Sequence, residues 1–576
     1  MSSPVHDRPS RLLPLAAAAL PVAVVALPHD WRFLPIHAAV LAAVLALAWR
    51  APLVDLALRD RPALRWCSMA ATALALTWLL FGEATRANWA LIDDHVNHTI
   101  IGPGRDRLPV GELPTLLRDH PEVGSPPLTY TRYRPAYHVL YHLEAAAWGK
   151  HVGPWLVTRL ALFALAALLA FDLLQRWLGF VAGGLALSFF TVLTMWREIA
   201  THLGPAECYA ALPTVAFAWC TTRIVRSPAP AGWAAWAGLT AAAVCAIGCK
   251  ENFVVLAPLT LLVAAVEWRR GRLGAAGVAS CGAVTAAAAL VVFVVSAGIL
   301  GNGGRDVYER GVGLNGFLGA TDSRSLRAAR KLVGYGLPLL LGTGWMAAAA
   351  WRTRRLWPDR ESVVPAVGTV LGLVALSQFV FYRGEVFKKC RYDLPFVPLV
   401  CLLLIGLLVA AAGWRQGGPG LRRLRRRLLV PTAVALAAMA IGGDASRAAT
   451  HARVVTTQGF CAALHGIAAT CRDDPARPVA VIVNPHAPAR YEPVISVAEY
   501  LRSLGITNPL FLSPSGLPQS AHSGAAAYTD LQLAQLSARG DHLFLPWDAL
   551  PATTAAIEVW LSAEPPPDRP QAFRVN

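Results

Sequence analysis

LGAAGVASCGAVTAAAALVVFVVSAGI, residues 273–299, runs for 27 residues without one charged side chain, between Arg272 and Arg305. As a helix it would reach about 40 Å, more than the roughly 30 Å of hydrocarbon in a bilayer, so it is read as a membrane span. Runs of the same kind extend outward from it in both directions. They are expected near residues 12–28, 33–49, 66–82, 155–174, 178–195, 208–225, 232–248, 252–267, 332–350, 363–381, 394–413 and 428–442. The chain of 576 residues is 55% hydrophobic and 15% charged, with mean hydropathy +0.45, which does not describe a soluble protein of this length. The fold class expected is a polytopic α-helical membrane protein with about 13 transmembrane helices and a small C-terminal α/β soluble domain. The stretch from Arg8 to Pro28 has the basic start of a signal peptide, but more spans follow at once and no small-residue cleavage site is visible, so it is read as the first span.

A net charge of +17 raises nucleic acid as a partner, yet the arginines cluster between apolar runs rather than along one soluble face. That pattern orients a membrane protein, and nucleic-acid binding is set aside. Arg50, Arg59, Arg61 and Arg65; Arg226; Arg269, Arg270 and Arg272; Arg352, Arg354 and Arg355; and Arg415 through Arg427 all fall on one side if every span is counted. That side is the cytoplasm, which places the N terminus inside a bacterial inner membrane. Loops at 83–154 and 300–331 and a C-terminal domain at 443–576 then lie on the periplasmic side, beyond a membrane domain at 1–442.

From Asp444 onward short β-branched runs alternate with helical stretches, at Pro478–Asn484, Pro493–Leu504, Pro509–Leu512 and His542–Pro546. No Gly-rich phosphate loop precedes a helix there, so no nucleotide site is expected. Six or seven of the ten cysteines sit in or at the ends of apolar runs, which gives no metal framework. Cys461 and Cys471 stand apart in the tail, either bridged or as two free thiols.

Candidate chemistry gathers in the outward loops. Leu91-Ile-Asp-Asp-His-Val-Asn-His98 sets two adjacent carboxylates close to the outer surface. Burying charge there is costly and asks for a reason. Glycosyl transfer needs a base for the acceptor hydroxyl, and a carboxylate held at a dry membrane edge suits that role, which makes Asp94, with Asp93, the catalytic candidate. Two other readings stand beside it: a solvated loop start in which Asp93 caps a short helix, and a site for a divalent cation, Mg or Mn, formed by Asp93, Asp94, His95 and His98.

Tyr130-Thr-Arg-Tyr-Arg-Pro-Ala-Tyr-His138 places Arg132 and Arg134 among aromatic rings. Guanidinium groups suit phosphate and rings suit sugar faces, so Arg134 is a phosphate candidate and Arg132 and Tyr133 are substrate candidates. The competing reading is an interfacial belt of Tyr and Arg. Gly248-Cys-Lys-Glu-Asn252 leaves Lys250 and Glu251 in a tight outward turn, with Lys250 for a lipid phosphate and Glu251 pairing with or orienting an arginine. An ordinary charged turn is the alternative.

Tyr382-Arg-Gly-Glu-Val-Phe-Lys-Lys-Cys-Arg-Tyr-Asp-Leu-Pro395 is a basic loop that the span count puts outside, against the positive-inside rule. Arg383, Lys388, Lys389 and Arg391 would there offset charge on a phosphate leaving group. In Trp196–Glu207 the polar residues Glu198, His202 and Glu207 are candidates for acceptor hydroxyls or a cation. The 301–330 loop, with Arg305, Asp306, Tyr308, Glu309 and Arg310, has the polar, Gly-rich make-up of a lid.

Taken together, the acidic pair in the first large outward loop, Arg-Tyr-Arg-Pro before the next span, Lys-Glu in a short outward turn and Arg-Tyr-Asp-Leu-Pro entering a late helix resemble the GT-C superfamily. Its protein O-mannosyltransferases and aminoarabinose transferases are multispanning enzymes that use polyprenyl-phosphate sugars. The resemblance implies a polyprenyl-phosphate-linked sugar donor, a glycan, lipid or protein acceptor, and contact with membrane lipids. It also implies Asp94 as base, Asp93 as its neighbour, and Lys250 and Arg391 on the phosphate. Here two spans precede the one leading into the acidic loop, where many members have one. A transporter or lipid flippase is the main alternative function. It predicts charges deep in the spans and an internal repeat, whereas the midplanes here are Ala, Leu, Val and Gly. A noncatalytic envelope assembly factor is the third reading.

Overall fold

The computed structural model of the chain describes residues 12–28, 34–91, 94–120, 122–123, 132–301, 391–394, 420–475, 479–483, 491–508, 510–513, 555–559 and 573–575. The helices in order are α1 (Leu12–Ala26), α2 (Leu34–Trp49), α3 (Ala51–Arg59), α4 (Pro62–Phe81), α5 (His95–Ile101), α6 (Leu113–Asp119), α7 (Pro135–Trp148), α8 (Val152–Leu178), α9 (Phe180–Thr191), α10 (Met195–Thr201), α11 (Glu207–Arg226), α12 (Trp233–Cys249), α13 (Leu256–Arg269), α14 (Ala275–Gly301), α15 (Gly420–Asp473) and α16 (Tyr491–Ser503). Proline sits in the first turn of α3, α4, α6 and α7, where its missing N–H costs no helical bond. Gly149 ends α7 at φ +58, and a Cβ there would overlap the Asp106 carbonyl oxygen, so the position admits only glycine.

Among the described residues five helices are long and apolar enough to cross a membrane: Pro62–Arg86, Val152–Arg176, Glu251–Arg269, Ala275–Gly301 and Met439–Asp473. The chain is a polytopic α-helical membrane protein. On α14, which covers most of the uncharged 273–299 run, Val278, Leu290, Val292, Phe293 and Leu300 are exposed, a face that only lipid satisfies. α1, α2 and α12 are apolar but shorter. The runs expected at 332–350 and 363–381, most of that at 394–413, and the 302–331 loop fall outside the described residues.

The span expected over 178–195 is not one straight helix. α9 has 12 residues, about 18 Å, and α10 leaves it at 77° after a three-residue break. Hydropathy stays high through the bend because Val192 and Leu193 are apolar, and composition carries no information on direction. α15, for its part, runs without interruption through position 442, across the boundary expected between the membrane and C-terminal domains.

Inside the bundle, small polar side chains tie helices together where lipid supplies no hydrophobic drive. Thr72 donates to the Ala18 carbonyl at 2.8 Å and Ser188 to the Pro21 carbonyl at 3.1 Å, joining α4 and α9 to α1. At one end the basic turns meet: Arg226 donates to the Arg176 carbonyl, Arg270 to the Val225 carbonyl at 2.7 Å and Arg272 to the Ser227 carbonyl. These guanidinium groups satisfy carbonyls at or just beyond helix C-termini, where cations are favoured.

Beyond α15 four short strands form one sheet, β1 (Val479–Val483), β2 (Leu510–Ser513), β3 (Ala555–Val559) and β4 (Phe573–Val575), in the order β2-β1-β3-β4. β1 is parallel to both β2 and β3, and β3 is antiparallel to β4. The parallel β1–β2 pair needs a crossover, which contains α16. His542–Pro546 lies outside the described residues. Cys461 and Cys471 form no disulfide with each other. Both stand on α15 ten residues apart, about 15 Å along the axis, too far to bridge.

Candidate functional site

Opposite the basic end, six stretches distant in sequence converge. Asp94 occupies the N-cap position of α5, yet its carboxylate makes no cap hydrogen bond. It turns back to accept the Ala90 N–H at 2.9 Å and reaches across to accept the Gly204 N–H at 3.3 Å. The side chain is buried, at 1% exposure, and Arg453 Nη2 of α15 stands 3.8 Å from Oδ2. This geometry differs from that of a helix cap on a solvated loop.

The cations come from three other segments. Gly248 lets the end of α12 approach α7 closely, since a Cβ there would lie 2.8 Å from Ala136 Cβ. Across that contact Arg134, just before α7, grips Glu251 with two bonds, Nε–Oε1 at 2.9 Å and Nη2–Oε2 at 3.1 Å. The Tyr133 N–H reaches the same carboxylate at 3.4 Å. Lys250 pairs with Glu207 and lies 4.7 Å from the Tyr392 ring centroid. The 391–394 turn is held by Asn252, which donates to the Leu394 carbonyl at 3.0 Å, and by Glu198, which accepts the Arg391 N–H at 3.3 Å.

The hub is the 202–208 turn. Gly204 donates its N–H to Asp94 and accepts from the Tyr137 hydroxyl at 2.6 Å. Glu207 holds Lys250, and His202 lies where the charges of both Arg391 and Arg453 act on it. Cys208 lies within reach of the charges of both Arg391 and Asp94. The structure thus brings together Asp94, Arg134, Lys250, Glu251, Arg391, Glu198, His202, Glu207 and Tyr133 of the sequence candidates. Arg132 stands close enough to Glu122 for its charge to stabilise that carboxylate. Asp93, Arg383, Lys388 and Lys389 lie outside the described residues.

Of the candidate cation ligands, Asp94, His95 and His98 lie within the described residues and Asp93 outside them. His98 Nδ1 meets Ser503 Oγ at 2.8 Å, and among the described residues no three His, Cys, Asp or Glu side chains gather with the geometry to hold a metal ion.

Two buried polar clusters were missed from sequence. Arg159 on α8, Glu144 on α7 and Tyr209 on α11 form a closed ionic triad, with the guanidinium 4.1 Å over the Tyr209 ring. In the outward loop Glu122 accepts from His138 Nε2 at 3.1 Å, and the His120 and His138 rings lie 3.8 Å apart. Only the spacing of His138 and His142, one helical turn, was a signal for the second cluster.

Burial, with the charges of Lys150 and His95, holds His98 down at about 3. Burial and then the charges of His138 and His142 hold His120 at about 4, against the pull of Glu122. Burial alone would raise Glu122, but the His138 hydrogen bond and the Arg134 charge outweigh it and keep the carboxyl at about 2. Each folded value lies below the unfolded one, so the unfolded chain takes up protons first on acidification. The stability tied to His98 and His120 is present above about pH 6.5 and is lost as pH falls toward 4 and below, whereas that tied to Glu122 is present above about pH 4.5 and is lost as pH falls toward 2. Thermal melts in detergent should therefore show a lower midpoint at pH 5 than at pH 7.5, and His120→Gln should shrink that difference. Equal midpoints at the two pH values would contradict the assignment.

No protein family and no curated protein matches the chain. Among solved structures the chain is similar to that described as ArnT from Cupriavidus metallidurans bound to undecaprenyl phosphate. The two are 16% identical over 85% of this chain and 92% of that one, with a TM-score of 0.41.

Proposed function

We propose that this chain is a membrane glycosyltransferase of the GT-C kind, moving a sugar from a polyprenyl-phosphate carrier to an acceptor hydroxyl at the outer face of the inner membrane. Asp94 takes the proton of the acceptor hydroxyl as its oxygen attacks the anomeric carbon. The bond from that carbon to the phosphate oxygen breaks with inversion, and polyprenyl phosphate leaves against Lys250, Arg134 and Arg391. The observation that carries this reading is the convergence of one buried carboxylate, held by two backbone donors, with three cations around the 202–208 turn. The set lies at the end of the bundle away from the basic turns, which the positive-inside rule assigns to the periplasmic side.

Preorganised cations offset the charge that grows on a leaving phosphate, and here Glu207 and Glu251 keep Lys250 and Arg134 in place without substrate. Glu198, His202, Arg132 and Tyr133 are the candidates for acceptor contacts. One observation favours a carrier as second reading, the broken α9–α10 pair, because interrupted spans are common at transport sites.

The test is transfer from a radiolabelled polyprenyl-phosphate sugar by purified protein in lipid nanodiscs. The wild type is compared with Glu207→Gln/Lys250→Gln, which keeps an uncharged pair in the buried position. The donor KM of this variant should rise at least about tenfold, the scale of one lost charge-assisted phosphate contact. The same assay with EDTA decides whether a divalent cation assists Asp94. Lipid that moves between leaflets with its sugar still attached, across varied sugars and acceptors, would select the carrier reading instead.

A further inference from the structure

The C-terminal helix α16 lies directly behind the turn that carries Asp94. Tyr500 is 1% exposed and donates its hydroxyl to the Ala90 carbonyl at 2.7 Å, across 410 positions of sequence. Ala90 is the same residue whose N–H binds Asp94 Oδ2 at 2.9 Å. The two peptide planes that meet at the Ala90 Cα are therefore pinned independently, one by the carboxylate and one by the phenol. Rotating either plane about Ala90 therefore strains one of these bonds, which restrains the N–H aimed at Asp94.

The phenol is itself clamped. Its ring makes edge contacts with His98 at 4.7 Å and with Phe460 at 5.4 Å. Three further bonds hold the C-terminal part of α16 to the same region: Ser503 Oγ with His98 Nδ1 at 2.8 Å, Thr99 donating to Glu499 at 3.3 Å, and Lys150 donating to the Ser503 carbonyl at 3.4 Å. From beneath, Thr457 of α15 accepts the Asn88 N–H at 2.9 Å.

We propose that Tyr500 is a positioning residue: through Ala90 it sets the place of the Asp94 carboxylate, so that the C-terminal helix is part of the active site rather than an accessory to it. This rests on the reading of Asp94 as the base. A base displaced by about 1 Å loses on the order of 10- to 100-fold in rate, and Asp94 has no helix-cap bond of its own to hold it there.

Tyr500→Phe keeps the ring packing and removes only the hydroxyl. The expected result is a kcat about tenfold lower with the donor KM unchanged, and faster amide hydrogen exchange confined to residues 88–94. Ser503→Ala loosens the same helix without touching Ala90 and should leave kcat within about twofold of wild type, since the effect is routed through one carbonyl. In the background of Asp94→Asn, adding Tyr500→Phe should cost nothing further, because the phenol acts through the carboxylate already lost. An unchanged kcat in Tyr500→Phe, or two losses that multiply, overturns the positioning role while leaving Asp94 as the base. Full activity in Asp94→Asn removes the base assignment itself, and the exchange measurement, which needs no turnover, still reports whether Tyr500 holds the turn.

Discussion

Asp94→Asn should lower sugar transfer by roughly 10²- to 10⁴-fold, the range a general base contributes, while the protein still folds. Asparagine preserves the shape and one carbonyl oxygen, so it can accept from either the Ala90 or the Gly204 N–H but not both, because its NH₂ must face one of them. That mismatch costs stability about 1 kcal/mol, the net worth of one hydrogen bond. Arg453 at 3.8 Å loses an ionic neighbour at the same time. Initial rates on lipid-embedded protein, paired with thermal midpoints, separate the two effects. A rate within threefold of wild type would return the 91–98 segment to the status of a loop and move the search for a base elsewhere in the outward loops.

The largest loss of stability is expected from Arg159→Met. Arg159 is wholly buried between α7, α8 and α11, paired with Glu144 and bonded to Tyr209. Removing it strands a carboxylate in a low-dielectric interior, a defect of about 3–5 kcal/mol. The protein should accumulate poorly and melt well below wild type in detergent. Arg159→Met/Glu144→Leu removes both charges and should recover most of the midpoint, because apolar groups of similar volume replace a buried pair at little cost. Should the single variant melt like the wild type, the triad would not be what joins these helices.

The membrane class was legible because uncharged runs such as 273–299 can be little else, and α4, α8 and α14 fall where hydropathy places them. The α9–α10 bend was not, since Val192 and Leu193 keep the run apolar while the chain turns. At the site, Asp94, Arg134, Lys250, Glu251, Glu207 and Arg391 were legible as charges stranded beside apolar runs. Their pairing was hidden: Lys250 and Glu207 stand 43 positions apart and Arg134 and Glu251 stand 117 apart. Arg453 and Tyr500 gave no signal at all. Each lies in a stretch that reads as tail, and only the continuous α15 carries that tail back against the Asp94 turn. Glu122 looked like any loop acid, because nothing local indicates that two histidines and two arginines surround it.

The same long helix sets a height. α15 has 54 residues, about 81 Å at the helical rise, against roughly 30 Å of hydrocarbon. About 50 Å of helix therefore exceeds the hydrocarbon thickness, and the sheet of β1 to β4 follows its C-terminal end in sequence. Because Thr450, Thr457 and Gln458 tie that helix to the carbonyl of Leu80, the N–H of Asn88 and the carbonyl of Arg86, it is braced against tilting. If the chain transfers sugar as proposed, an acceptor arriving from the aqueous side would have to pass beside this braced helix, whereas one sliding in the plane of the bilayer would not.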